Sequence, residues 1–454
     1  MLFTTNWLTT VFTDCSGDQG NEKEIKSVTI DSRQKSEDAL FIPIIGENFD
    51  GHDFVEQAYQ NGAIAILWDR KRKLPEQLTS KVYVYYVDDT TSALQELASC
   101  YRDKVNPIVI GVTGSNGKTT TKDIVASIAK QKYRTHYTNG NFNNEIGLPL
   151  TVLAMEANTE VLVLEMGMSS FGEIELLSKL AKPDYAIITN IGESHIEFLG
   201  SREGIAKAKL EITSGLSKNG KLIVDGDEPL LASVHHEDHV VTAGFESTND
   251  FVISSIEINR RETTFVGSDG NTYSIPLLGN HHAKNASYGI VIGALLGISF
   301  DQIQAAFHGL TLTGMRFELL TGRHGVSIIN DAYNASPTSM KAAIQVVNQI
   351  PDFKEKVLVL GDIYELGSES KSMHEAVAEV IDNSITALFT VGEDSKVISD
   401  VVQLKYPMLV VAHFHQKEDV LEALQPYLKQ DALLLFKASR GMKLESLIEA
   451  IKAN

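Results

Sequence analysis

Gly111-Val112-Thr113-Gly114-Ser115-Asn116-Gly117-Lys118-Thr119-Thr120 decides the reading of this chain, because it separates an apolar run from an amphipathic one. Ahead of it, Pro107-Ile108-Val109-Ile110 has the composition of a buried strand. Behind it, Thr121 to Ala129 places apolar residues on one face of a helix. The second half is read as the phosphate-binding pattern G-x-x-x-x-G-K-[ST], in the order strand, glycine loop, helix. Glycines let backbone N–H groups turn inward around phosphate oxygens, and a helix N-terminus adds positive potential. Lys118 would supply a point charge and the Thr119 hydroxyl a magnesium ligand. Gly114, Ser115, Asn116, Gly117, Lys118, Thr119 and Thr120 are therefore the expected nucleoside triphosphate contacts, the alternative being a plain glycine-rich turn.

The 454 residues exceed one ordinary core and suggest three domains, and an apolar fraction of 43% is that of a folded chain. Cys15 and Cys100 give neither a disulfide framework nor a zinc spacing, and the first residues lack the pattern of a signal peptide, so a cytoplasmic protein is expected. No apolar stretch is long enough for membrane insertion, and a net charge of -19 opposes binding to nucleic acid.

Three zones follow. Residues 1–85 mix short strand-like runs with one helix as a small α/β unit. Residues 86–314 hold the phosphate loop and uniformly apolar runs at 161–164, 185–188 and 221–224, which read as parallel strands of a P-loop ATPase-like sheet. Residues 315–454 alternate strand and helix, with strands expected at 326–329, 356–360, 387–390, 408–411 and 432–436, as in a doubly wound, Rossmann-like sheet. No G-x-G-x-x-G loop follows its first strand, so a dinucleotide is not expected there. The whole chain is thus α/β, and ligands should sit beyond the carboxyl ends of strands.

The residues that follow the apolar runs are therefore the first candidates. Glu165 follows one apolar run and His195 lies after the next, where both could hold a metal near the terminal phosphate. Lys209 lies on an expected helix, where a solvated face explains it as well. Asn143 and Asn144 could bind substrate phosphate or sugar, or simply form a polar turn. Asn280 and Asn285 could read an adenine edge and Asp331 could accept from ribose hydroxyls, with helix capping the alternative for each. Arg316, at the junction of zones two and three, could reach triphosphate oxygens as a bidentate donor.

Together these segments resemble the Mur ligase family of ATP-dependent amide-forming enzymes. The resemblance rests on Asp31-Ser32-Arg33, Phe49-Asp50-Gly51-His52, the Gly-Ser-Asn-Gly-Lys-Thr-Thr loop, Glu165, His195, the Asn280 segment, Met315-Arg316-Phe317-Glu318 and Asp331-Ala332-Tyr333-Asn334. It implies ATP and Mg2+ as cofactors and an acyl-phosphate intermediate. The motifs at 330–337, 361–367 and 437–440 imply that the step joins D-alanyl-D-alanine to UDP-N-acetylmuramoyl-tripeptide. By the same resemblance, zone one would bind uridine diphosphate, with Ser32 and Arg33 at the diphosphate, and zone three would deliver the dipeptide. Tyr333, Asn334, Asp362, Glu365, Ser439 and Arg440 would contact substrate. Lys209 would be carbamylated as a further magnesium ligand beside Thr119, Glu165 and His195. Catalysis would rest on Lys118, Glu165, His195, Lys209 and Arg316. A monomer that closes from an open form is expected. A folylpolyglutamate synthase-type ligase and a nucleotide-switch protein are the competing readings.

Overall fold

The computed structural model describes residues 1–17, 22–351 and 353–452, and it is a mixed α/β structure built on three main sheets. The first runs Cys15–Ser16, Tyr83–Val87, Ala63–Asp69, Ala39–Phe41, Ser27–Thr29, parallel except at the Cys15–Ser16 edge. The Tyr83–Val87 strand passes through the expected boundary at residue 85, which therefore falls inside an element.

The central sheet has nine strands. From one edge they are Thr272–Ile275, Thr263–Gly267, Phe251–Ile258, Val240–Gly244, Lys221–Asp225, Tyr185–Ile188, Ile108–Thr113, Val161–Glu165 and Thr135–Tyr137. The six from Val240–Gly244 to Thr135–Tyr137 are parallel, and the four inner ones, Lys221–Asp225, Tyr185–Ile188, Ile108–Thr113 and Val161–Glu165, are apolar in their middles, because helices cover both faces. Phe251–Ile258 joins this array in parallel and then folds back through antiparallel pairs, an extension that the apolar runs did not announce. One face shares its core with the first sheet through Leu94, Leu97 and Tyr101 of the helix Thr90–Val105. The other face packs on the helices Lys118–Ala129 and Asn280–Leu295.

The third sheet runs Glu318–Thr321, Ser327–Asn330, Ala432–Lys437, Glu355–Gly361, Ala387–Val391, Val410–Phe414, antiparallel only at its first pair. The strand expected at 408–411 begins later, since Met408 stands 96% exposed ahead of it. Among the described residues, no helix is long and apolar enough to cross a membrane.

Candidate functional site

Strand order in the central sheet reverses at Ile108–Thr113, whose neighbours are Val161–Glu165 on one side and Tyr185–Ile188 on the other. The loops that leave these three strands meet at one sheet end, the usual place for a ligand in such folds.

The loop after Ile108–Thr113 departs from the strict spacing: the position five before Gly117 is Val112, a strand residue, and the turning glycine is Gly114. Gly114 sits at φ +150 and Gly117 at φ +78. A Cβ on Gly114 would meet Thr189 Oγ1, and one on Gly117 would lie 2.7 Å from Asn285 Oδ1. Thr189 Oγ1 donates to Asn116 O at 2.6 Å, while Asn190 accepts from Ser115 N–H and Asn116 N–H. The loop is thus tied from the next strand end. The helix Lys118–Ala129 starts directly after it, with first-turn N–H groups that have no partner within the helix. Lys118 Nζ donates to Gly114 O at 2.7 Å, and burial lowers its pKa.

Glu165, at the adjoining strand end, is buried. Its Oε1 accepts from Asn143 Nδ2 at 2.8 Å, and its Oε2 has no partner. Lys209 is 2% exposed on the helix Arg202–Leu210, which overturns the solvated-face reading: Ile205, Ala206, Ala208 and Lys209 form the buried face. Burial, aided by the Lys118 charge, pushes the Lys209 amine well below its ordinary pKa. His195 Nδ1 lies 2.7 Å from Glu365 Oε2 of the third unit. Among the described residues, no three His, Cys, Asp or Glu side chains converge as a metal-holding group. A magnesium ion does not need one, since it commonly takes one or two carboxylates with phosphate and water. The orphaned Glu165 Oε2 and the Thr119 hydroxyl fit that demand.

A cavity of about 170 Å³ lies between the phosphate loop and the third unit. Ser115 to Thr120 form one wall; Asn285, Arg316 and Asp331 face them, together with His281, His282 and Lys437. Arg316 stacks on Tyr333 at 3.9 Å, and its Nε is buried without a partner. Asp331 is not free, because its carboxylate holds Lys437 Nζ and accepts from Phe317 N–H. Burial pushes His281 down to about 4 and His282 well below its ordinary value, so both imidazoles are neutral at pH 7. Neither ring nitrogen of His282 has a partner. These two histidines and Lys437 lie inside the Asn280 segment and the 437–440 motif, but the sequence assigned none of them a role of its own. Asn280 does not line the cavity and is exposed. It stands about 140° around the helix from Asn285, as a five-residue separation requires.

A second cavity, of about 270 Å³, shares Ser194, Asn334 and Ala335 with the first. It also collects His195, Tyr333, Glu365, Ser439 and Arg440. Asp362 is absent from it. That carboxylate turns to the 393–395 turn and accepts from Glu393 N–H at 2.9 Å and Ser395 N–H at 2.8 Å, a loop-holding role. Asn144 likewise accepts from Gly147 N–H at 2.9 Å, in the turn that leads into the helix Gly147–Leu153. Ser32 donates to Gln57, and Arg33 pairs side-on with Asp31, whose carboxyl the guanidinium holds down at about 2. The two units are bridged in this structure, unlike the open form expected. Ser336 Oγ donates to Asn116 Oδ1 at 3.1 Å, and Thr338 Oγ1 donates to the Glu193 carboxylate at 2.7 Å.

Comparison with known proteins agrees along the whole chain. Residues 24–102 match the Mur ligase family catalytic domain, 112–293 the Mur ligase middle domain, and 315–440 the Mur ligase glutamate ligase domain. The chain is 48% identical over 433 residues to the UDP-N-acetylmuramoyl-tripeptide–D-alanyl-D-alanine ligase of Bacillus subtilis, covering 95% of this chain and 94% of that one. It superposes on the crystal structure of MurF from Acinetobacter baumannii with a TM-score of 0.87 at 28% identity, covering 99% and 98% of the two chains. MurF ligase from Thermotoga maritima, in complex with ADP, gives a TM-score of 0.81 at 29% identity, covering 93% of this chain and 96% of that one.

Proposed function

The chain belongs to the Mur ligase family, and from that premise we infer its reaction: the ATP-dependent joining of D-alanyl-D-alanine to UDP-N-acetylmuramoyl-tripeptide in peptidoglycan synthesis. The observation that carries this reading is the pair of cavities sharing Ser194, Asn334 and Ala335. A phosphate-loop cavity adjoins a second pocket between the same two units. A ligase needs that adjacency, because the group activated by ATP must meet an amine before water does.

A carboxylate is unreactive toward an amine because oxide would have to leave. In the reaction we infer, a tripeptide carboxylate oxygen bonds to the γ-phosphorus as the bond to the ADP oxygen breaks. The dipeptide amine then attacks the acyl carbon, loses a proton and expels phosphate. Lys118 and Arg316 would neutralise charge on the transferred phosphoryl group. Magnesium, held through Thr119 and Glu165 with His195 nearby, would add Lewis-acid charge neutralisation when bound. Asn285 and the neutral His282 would meet the adenine.

Residues 1–85 would hold the uridine diphosphate, Arg33 exchanging Asp31 for a diphosphate oxygen. Residues 86–314 would bind ATP, and 315–454 the dipeptide through Tyr333, Asn334, Glu365, Ser439 and Arg440. Burial lowers the Lys209 pKa, the direction that favours the neutral amine a carbamate would require. Labelling with 13C-bicarbonate should give a carbamate signal that Lys209→Met lacks, and a silent wild type overturns that modification. One chain supplies both cavities, so a cytoplasmic monomer suffices; light scattering checks its mass.

The deciding experiment is phosphate release with mass analysis of the product, omitting ATP, magnesium, muramoyl tripeptide or dipeptide in turn. Release that needs all four, with a product heavier by the dipeptide less water, is expected. Release indifferent to tripeptide or dipeptide would leave only an ATPase.

A further inference from the structure

Arg316 is carried on the segment that joins the central and third units, and two backbone N–H groups of that segment are held by carboxylates from opposite sides. Thr313 N–H donates to Asp123 Oδ2 at 2.8 Å, and Phe317 N–H donates to Asp331 Oδ1 at 3.1 Å. Each carboxylate gives its other oxygen to a lysine: Asp123 to Lys122 and Asp331 to Lys437. The side chains of Lys122, Asp123 and Lys437 are 0%, 4% and 3% exposed. Lys122 Nζ also lies 3.4 Å from Thr313 Oγ1.

The two anchors belong to different machinery. Asp123 and Lys122 stand on the helix whose first turn carries Lys118 and Thr119. Asp331 follows the strand Ser327–Asn330, and Lys437 ends the strand Ala432–Lys437. Between the anchors, Met315 and Phe317 take φ of 61 and 56, left-handed values that non-glycine residues hold only where their surroundings impose them. Arg316 lies between those two residues, with its Nε buried and unpartnered in the nucleotide cavity.

The Lys122–Asp123 pair has no part in the chemistry inferred above. A buried ion pair is weak support for a fold, since apolar residues of similar volume often pack as well. What an apolar replacement could not do is accept the Thr313 N–H. We propose that Asp123, with Lys122 behind it, is a positioning residue: it fixes the strap at Thr313 so that Arg316 faces the phosphate loop carried by the same helix. The proposal rests on the reading of Arg316 as a triphosphate ligand. It makes the phosphate loop and its arginine one rigid unit, although they lie on opposite sides of the junction.

The test replaces the pair by Lys122→Met with Asp123→Leu, in the wild-type and the Arg316→Ala backgrounds, and measures kcat and KM for ATP. Displacing a catalytic group by about 1 Å can cost a factor of about 100. With Arg316 present, kcat should fall by about 10- to 100-fold while KM for ATP moves less than about threefold; without Arg316, the same change should cost less than about twofold. Equal factors in both backgrounds, or unchanged kcat in the folded variant, overturn the proposal. Should the paired variant not fold, Thr313→Pro removes the donated N–H with the ion pair intact and should show the same dependence on Arg316. Amide exchange at Thr313 judges the anchor without turnover: it should be slow in wild type and fast in the paired variant or in Asp123→Leu, and fast exchange in wild type also overturns the proposal. A wild type that exchanges slowly but does not ligate would instead overturn the reaction.

Discussion

Glu365 Oε2 lies 2.7 Å from His195 Nδ1, which ties the third unit to the carboxyl end of a central-sheet strand beside the second cavity. Both residues have left-handed backbones, at φ 62 and 64, so the contact joins two conformations that the surroundings must hold.

The imidazole holds the Glu365 carboxyl below its ordinary pKa, against burial, which raises it. A lowered folded pKa contributes stability that is present above the unfolded carboxyl value and is lost as pH falls through the folded one. Glu365 is 45% exposed, so the contribution is about 1 kcal/mol or less. Glu365→Gln should therefore melt slightly below wild type at pH 7, and the gap should close as pH falls below the ordinary carboxylate range. A gap that survives at acid pH, in parallel thermal melts, would place the effect elsewhere.

Lys118 Nζ rests on the carbonyls of Gly114 and Ser115, and burial lowers its pKa. Such an amine costs desolvation that the Glu165 charge offsets only in part, so Lys118→Met should melt at or above the wild-type temperature. Turnover should drop by at least about 100-fold, the usual scale for removing one preorganised charge contact. Phosphate release at the wild-type rate in a folded Lys118→Met protein would remove Lys118 from the mechanism.

Parallel strands were legible because covering on both faces leaves apolar runs along them; residues 161–164, 185–188 and 357–360 all have that form. Phe251–Ile258 was not, since several of its residues face solvent and it pairs across a register shift. Lys209 looked solvated because a lysine among alanines names no partner, and only the packing of its helix buries it. Asp362 and Asn144 looked available for substrate, but Asp362 is used by backbone N–H groups of a turn about thirty residues on that the sequence does not bring near, and Asn144 by the N–H of Gly147 in its own turn. The Asp331–Lys437 pair joins two strand ends that neighbour each other only through the parallel pairing of Ser327–Asn330 with Ala432–Lys437.

Gly117 and Gly172 separate conformation from space. Both have positive φ, +78 and +85, but a Cβ at Gly172 meets nothing within 4 Å, whereas one at Gly117 would lie 2.7 Å from Asn285 Oδ1. Gly172→Ala should cost only the left-handed penalty, about 1–2 kcal/mol, with ATP KM unchanged. Gly117→Ala should cost more and raise ATP KM at least about tenfold, because it displaces the cavity-lining Asn285 as well. Equal effects of the two alanines on KM would argue against a nucleotide contact at Asn285.

Lys284 adjoins Asn285 on the helix Asn280–Leu295 and bridges two carboxylates, Asp225 Oδ1 and Asp227 Oδ2, each at 2.8 Å. The two acids respond in opposite directions. Burial raises Asp225. Burial also pushes Asp227 up, but Lys284 and the N–H groups of Phe245 and Glu246 outweigh it and hold the carboxyl at about 2. The Asp227 contribution is thus fully present above the ordinary carboxylate range and is lost as pH falls toward 2. Lys284→Met strands both carboxylates, and breaking such a pair from one side typically costs about 3–5 kcal/mol. That penalty should shrink in mild acid, because Asp225, already raised, takes up a proton first and relieves the repulsion. Urea unfolding of wild type and Lys284→Met at pH 7 and near pH 4.5 measures both parts. A penalty that is constant across the two conditions would mean that Lys284 acts by packing on Phe245, whose ring its Nζ overlies at 4.8 Å, rather than by charge.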